Sequence, residues 1–285
     1  DLVFGSECGD IHLFKEIASA IKNNPADYDQ YVKNAMKQGL RYPDACNQAL
    51  SLLLNKSIQT PNDLLGLGYV KEVINHDYPI CLHCIQRSND YHDTSLTKIA
   101  SATALRKALK EKQDVHDYLL DMSYYDHLYD QSNFFDYLKY QIIIQDIHHL
   151  KKIHLVDEGI ENLLKKVIFD TNSYEELVNS LTSKRYTKTR IQRMLIHILM
   201  NNTKDEIKNC FPIDYILVLK MNQKGQKYLK TIKKTCSYHI ITNLSSYKHP
   251  ALDLEIKSSK LLSLIDHQMI KKEFQNIPVI ELSKR

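Results

Sequence analysis

The segment Ser101-Ala102-Thr103-Ala104-Leu105-Arg106 joins two hydroxyls to an arginine about one helical turn further along. At a helix start, unpaired backbone N–H groups and the positive end of the helix dipole favour an anion, and a guanidinium fork adds charge-assisted hydrogen bonds. The spacing of Ser101, Thr103 and Arg106 therefore suits a phosphate, although ordinary N-capping by Ser101 explains the hydroxyls equally well. Phe4-Gly5-Ser6 ends an apolar run on a glycine, where the missing side chain lets a ligand approach the backbone. A turn glycine with no ligand is the plain alternative. Gln86-Arg87 leaves a second apolar run, and Arg87 there could reach the same phosphate. His92 and Asp93 invite an acid–base reading, but adjacent residues in a polar stretch need not face one site and no nucleophile motif accompanies them. No catalytic residue is assigned. Asn62, in Pro61-Asn62-Asp63, could bond an adenine edge or simply stabilise a turn.

A different chemistry is suggested by residues 183–193, where Lys184, Arg185, Lys188, Arg190 and Arg193 crowd together without an acidic residue among them. On a helix starting near Thr187, Arg190 and Arg193 share a face, so nucleic-acid phosphates could bind along one flank, with Tyr186 as a stacking surface. A solvated helix face is the competing reading. Lys224, Lys227, Lys230, Lys233 and Lys234 recur at helical spacing and read chiefly as a solubilising face.

These residues need elements to position them. The opening run to Phe4 reads as a buried strand, and residues 11–54 as three helices broken at Asn23-Asn24-Pro25 and at residues 39–43. Thr60 before Pro61 marks a further helix start, residues 78–85 a buried strand, and residues 101–112 a helix of Ala, Leu, Lys and Arg. That alternation predicts α/β architecture, an incomplete Rossmann-like nucleotide-binding domain over residues 1–113. Residues 114–285 are expected to form a helical region, all helix to about residue 202, then a small α/β element: strands at 215–219 and 238–242 around a helix at 225–234, closed by a helix at 251–267.

Composition bounds the function. With 285 residues and 43% hydrophobic content the chain can fill a real core, while a formal net charge of +4 permits a nucleic-acid partner only through a local basic surface. Neither an eighteen-residue apolar run nor a secretory signal is seen, so a cytoplasmic protein with no membrane partner is expected. The six cysteines are scattered. Cys81 and Cys84 have C-x-x-C spacing but no second pair, so no metal site is expected and two thiols buried on a strand are the simpler reading.

Taken in order, Phe4-Gly5-Ser6-Glu7, Pro61-Asn62-Asp63-Leu64-Leu65-Gly66 with Tyr69 and Lys71, Gln86-Arg87 before Tyr91-His92-Asp93, residues 99–106 and residues 184–193 resemble the bacterial tRNA(Met) cytidine acetate ligases. The matches span almost the whole chain. The resemblance implies a nucleotidyltransferase-like fold, in which Ser-Ala-Thr-x-x-Arg is similar to a phosphate-binding motif. It implies ATP, with Mg2+, held by Gly5, Asn62, Arg87, Ser101, Thr103 and Arg106. It also implies elongator tRNA(Met) held by Lys184, Arg185, Lys188, Arg190 and Arg193, with acetate activated as acetyl-adenylate and transferred to the wobble cytidine. No acetyl-CoA is required, and an oligomer is compatible. The family's His-x-x-His nucleotide motif has no counterpart here, and the apolar opening without Met reads as an interior strand. The expectation is that the 285 residues alone are inactive and that restoring upstream strands restores activity. Two other readings stay open: a tRNA-binding module without catalysis, and a nucleotidyltransferase with a small-molecule acceptor.

Overall fold

The computed structural model describes residues 1–87, 96, 100–118, 129–183 and 186–275. The chain forms two compact units, Asp1–Asp126 and His127–Arg285.

The first unit opens with β1 (Leu2–Ser6), followed by α1 (Ile11–Asn23), α2 (Pro25–Lys37), α3 (Tyr42–Leu54) and α4 (Pro61–Asn75), then β2 (Leu82–Gln86) and α5 (Ala102–Lys110). Strands β1 and β2 pair in parallel, with Gly5 opposite Ile85 and Ser6 opposite Gln86. Parallel pairing brings the carboxyl ends of both strands to one edge, where open α/β sheets bind ligands. Phe4 points from β1 into a core with Phe14, Ile17 and Val70, its ring edge-on to Phe14 at 5.4 Å. Helix α4 crosses β1 at Gly66, where a Cβ would lie 2.3 Å from Phe4 Cε2, so this helix packs only because the side chain is missing. Each helix break falls at a proline or a left-handed residue: Pro25 at the start of α2, Pro61 at the start of α4, and Asn55 with φ 53° after α3.

The second expected strand begins later than residues 78–85 suggested. The Tyr78 N–H donates to Val73 O and finishes α4, and Tyr78, Ile80 and Cys81 are exposed. Pro79 lacks an N–H and the Ile80 N–H turns back to Tyr78 O at 2.7 Å, so the paired register starts only at Leu82. Cys81 is therefore an exposed thiol rather than one of two buried ones, and Cys84 is half-buried.

In the second unit α6 (Phe135–Ile144), α7 (Ile147–Lys152), α8 (Ile160–Val167), α9 (Tyr174–Leu181), α10 (Lys188–Leu199) and α11 (Lys204–Asn209) form the helical part. Apolar residues at helical spacing, such as Ile191, Met194, Leu195 and Ile198 of α10, build one core with Leu138, Ile142, Leu164 and Leu177. A small β-α-β element follows: β3 (Tyr215–Leu217), α12 (Gln223–Ile232) and β4 (His239–Ile241), the strands parallel. Two helices rather than one close it, α13 (Pro250–Leu262) and α14 (Met269–Gln275), because Ser263 to Ile265 bond back onto the last turn of α13. Among the described residues no helix is long and apolar enough to cross a membrane.

Candidate functional site

At the carboxyl edge of β1 and β2 the chain builds a turn around one carboxylate. Asp63, in the first turn of α4 and only 5% exposed, accepts hydrogen bonds from Ser6 Oγ (2.5 Å), Glu7 N (2.8 Å), Cys8 N (3.2 Å) and Thr60 Oγ1 (2.6 Å). Ser6 Oγ, itself buried, accepts from Gly9 N at 2.9 Å. Gly9 has φ +67°, and a Cβ there would meet Gln86 Cβ at 2.8 Å, so a glycine is required for the turn to pass under β2. Glu7 answers in the other direction: its Oε1 accepts from Asn62 Nδ2 at 2.7 Å and its Oε2 from the Asp63 N–H at 3.2 Å. The β1–α1 turn and the start of α4 are thus tied by reciprocal carboxylate bonds. Burial pushes the Asp63 carboxyl up, but hydrogen bonds from Ser6 and Thr60 and from the Cys8 and Glu7 amides outweigh it, and the net shift is downward.

Gly5 lies at this edge with its backbone exposed, and a Cβ added to it would lie 3.9 Å from Arg87 Cγ. Arg87 continues β2 by donating its N–H to Ser6 O at 2.8 Å. Its Nε is buried and has no hydrogen-bond partner among the described residues. A buried guanidinium N–H without an acceptor, beside a strand end that lacks a side chain, fits an anionic ligand at this edge. Gly5, Asn62 and Arg87, far apart in sequence, therefore gather at one place.

On α5 the Ser101 Oγ accepts from Ala104 N at 3.0 Å, so it does cap the helix. Thr103 and Arg106, three residues apart, share a side of that helix and are exposed. His92 and Asp93 lie outside the described residues.

The basic run behaves differently from its sequence. Lys184 and Arg185 lie outside the described residues. Thr187 caps α10, and Lys188 and Arg193 are exposed. Tyr186 is no stacking platform: it is 9% exposed, within the core of the second unit, and its hydroxyl donates to Asp157 O at 2.8 Å. The Arg190 guanidinium sits over the Tyr186 ring, 4.6 Å from its centroid and 4.0 Å from Asp157 Oδ2. Lys188 Nζ lies 4.0 Å from Glu175. A stretch free of acids along the chain thus meets Asp157 and Glu175 in space. The lysines of α12 are exposed and the helix contributes no buried residue.

The Glu7–Asp63 pair escapes a reading by single motifs, although Thr60-x-x-Asp63 has the spacing of a capping box. In the structure the Thr60 hydroxyl instead donates to Asp63 and makes no cap bond to the helix backbone.

A parallel α/β unit whose strand ends carry an open glycine backbone and an arginine Nε unsatisfied among the described residues defines an α/β protein with an anion-binding strand edge. The sequence model of the family described as HIGH Nucleotidyl Transferase matches residues 1–276. The tRNA(Met) cytidine acetate ligase of Geobacillus sp. (strain WCH70) is 34% identical over 305 residues, covering 99% of this chain and 76% of that protein. That of Bacillus subtilis (strain 168) is 34% identical, covering 96% of this chain and 71% of that protein. The crystal structure of apo Thermotoga maritima TmcAL superposes with a TM-score of 0.80 at 26% identity, covering 97% of this chain and 76% of that one. A second crystal structure of that protein, bound with alpha-thio ATP, shares the fold at a TM-score of 0.80 and 23% identity. The chain belongs to the tRNA(Met) cytidine acetate ligase family of HIGH nucleotidyltransferases, and is a ligase.

Proposed function

We propose that the protein activates acetate with ATP and acetylates the wobble cytidine of elongator tRNA(Met) to N4-acetylcytidine. An acetate oxygen attacks the α-phosphorus and pyrophosphate leaves; the cytidine exocyclic amine then attacks the acetyl carbon, AMP leaves, and one amine proton is lost. The protein works mainly by positioning reactants and by stabilising charge that develops on the phosphates. ATP is held by Gly5, Asn62 and Arg87 at the strand edge and by Ser101, Thr103 and Arg106 on α5, with Mg2+ on the phosphates. Lys184, Arg185, Lys188, Arg190 and Arg193 hold the tRNA, and the reaction takes place in the cytoplasm.

The observation that carries this reading is the buried Arg87 Nε, unpartnered among the described residues, beside the open backbone of Gly5, with Asn62 bonded to the adjoining β1–α1 turn through Glu7. The names of the relatives support the acceptor. The test supplies the complete gene product with labelled acetate, ATP and elongator tRNA(Met), and follows both pyrophosphate release and N4-acetylcytidine. Both are expected to need ATP and acetate but no acetyl-CoA, and Arg87→Ala to slow the reaction roughly 100-fold. Acetylation supported by acetyl-CoA alone, or left unchanged in Arg87→Ala, would overturn the proposal.

A further inference from the structure

We infer that Glu7 is a positioning residue that selects adenine over guanine by fixing which way the Asn62 amide faces. The inference rests on the reading of Asn62 as the contact to the nucleotide base. An ionised carboxylate only accepts hydrogen bonds, so the group at 2.7 Å from Glu7 Oε1 must be the Asn62 NH2 and not its carbonyl. The other Glu7 oxygen is held by the Asp63 N–H at 3.2 Å, and the Glu7 backbone N–H by Asp63 Oδ1 at 2.8 Å. Glu7 is therefore held at both its backbone and its carboxylate, and Asn62, half-buried at the start of α4, is held to one of its two amide orientations.

That orientation has a chemical consequence. One amide proton goes to Glu7, which leaves the Asn62 carbonyl oxygen and the second N–H for a ligand. An acceptor beside a donor complements adenine, which offers its exocyclic N–H next to a ring nitrogen. Guanine presents a carbonyl oxygen in place of that amino group, so the Asn62 oxygen would face another acceptor. With the amide free to turn over, the donor could face the guanine oxygen instead and the discrimination would fall. Glutamine at position 7 satisfies both neighbours only with the Asn62 amide turned over, its oxygen accepting from the Asp63 N–H while its NH2 donates to the Asn62 carbonyl.

The experiment measures equilibrium binding of ATP and of GTP to the complete protein and to Glu7→Gln, Glu7→Ala and Asn62→Ala, with thermal unfolding of each. Wild type is expected to prefer ATP, and both Glu7 variants to lose roughly tenfold of that preference, mostly by gaining GTP affinity. A general loosening of the turn would weaken both nucleotides alike and leave the ratio unchanged, which overturns the inference, whatever the melting temperature. Asn62→Ala is expected to remove the preference. Absent ATP binding in the wild type, or Asn62→Ala with an unchanged ATP-to-GTP ratio, overturns the reading of the site itself and the inference with it. An intact ratio in Glu7→Gln beside a lost one in Asn62→Ala overturns the inference alone.

Discussion

Replacing Asp63 by alanine removes the buried carboxylate on which four donors converge and should unfold the first unit more easily than any change to an exposed carboxylate. Four donors lose their partner: the hydroxyls of Ser6 and Thr60 and the amides of Glu7 and Cys8. Ser6 is completely buried, so its hydroxyl cannot turn to water, whereas Thr60 is half-buried and Cys8 exposed. Hydrogen bonds to a charged group contribute about 1.5–3 kcal/mol each, and an orphaned buried donor costs about 1–3 kcal/mol. Counting Ser6 and the Glu7 amide in full, and letting water take the other two, gives a loss of about 3–6 kcal/mol. That is a large share of the roughly 5–15 kcal/mol typical of a domain. Asp63→Asn keeps one acceptor and should lose less, because the Thr60 hydroxyl can reverse while the Cys8 amide cannot. The downward-shifted Asp63 carboxyl contributes stability that is complete above the ordinary carboxylate range and is lost as pH falls through its folded-state value. Asp63→Asn should therefore flatten the acid limb of the stability curve. With no Trp in the chain, urea unfolding is followed by far-UV circular dichroism, and hydrogen exchange in peptides from β1 and α4 localises the change. A midpoint for Asp63→Ala within 1 kcal/mol of wild type, which is about the net value of one ordinary hydrogen bond, would refute the reasoning.

Two glycines of the same helix should respond with opposite sign. Gly66→Ala forces a Cβ to 2.3 Å from the Phe4 ring and should destabilise by about 2 kcal/mol, whereas Gly68→Ala meets nothing within 4 Å and should stabilise by up to about 1 kcal/mol; equal melting shifts would contradict both. His197 is held down to about 4, by burial first and then by the charges of His154 and Arg193. The unfolded chain then binds a proton that the folded one refuses, so stability of the second unit should fall as pH drops from 6.5 towards 4, and His197→Gln should show a shallower slope over that window. Lys188→Ala and Arg193→Ala should weaken tRNA binding at unchanged melting temperature, each reducing the log–log salt slope by about 0.7–0.9. Arg190→Ala should lower the melting temperature as well, since its guanidinium stacks on Tyr186; a salt slope untouched by all three would remove this helix from the tRNA surface.

Much of the fold is local and so readable along the chain. Apolar spacing, Pro25 and Pro61 at helix starts, and Ser101 before an Ala- and Leu-rich stretch locate α1 to α5, because helix formation depends on neighbours three and four residues apart. A glycine closing one apolar run and an arginine leaving another were enough to mark Gly5 and Arg87 as worth joining, and parallel pairing of β1 with β2 does join them. Pairings across long separations are another matter. Asp63 reaches Ser6 over 57 positions, and Asn62 reaches Glu7 over 55; the local pattern offers at most a capping-box spacing at Asp63 and does not say which distant groups these carboxylates meet. The same holds for the basic run, whose freedom from acids ends at Asp157 and Glu175, and for Tyr186 and Cys81, where tertiary packing buried the first and left the second exposed. Residue order along one element determines which face is apolar; which charge lies opposite another is decided only when separate elements meet, since Coulomb and hydrogen-bond energies depend on distance in space.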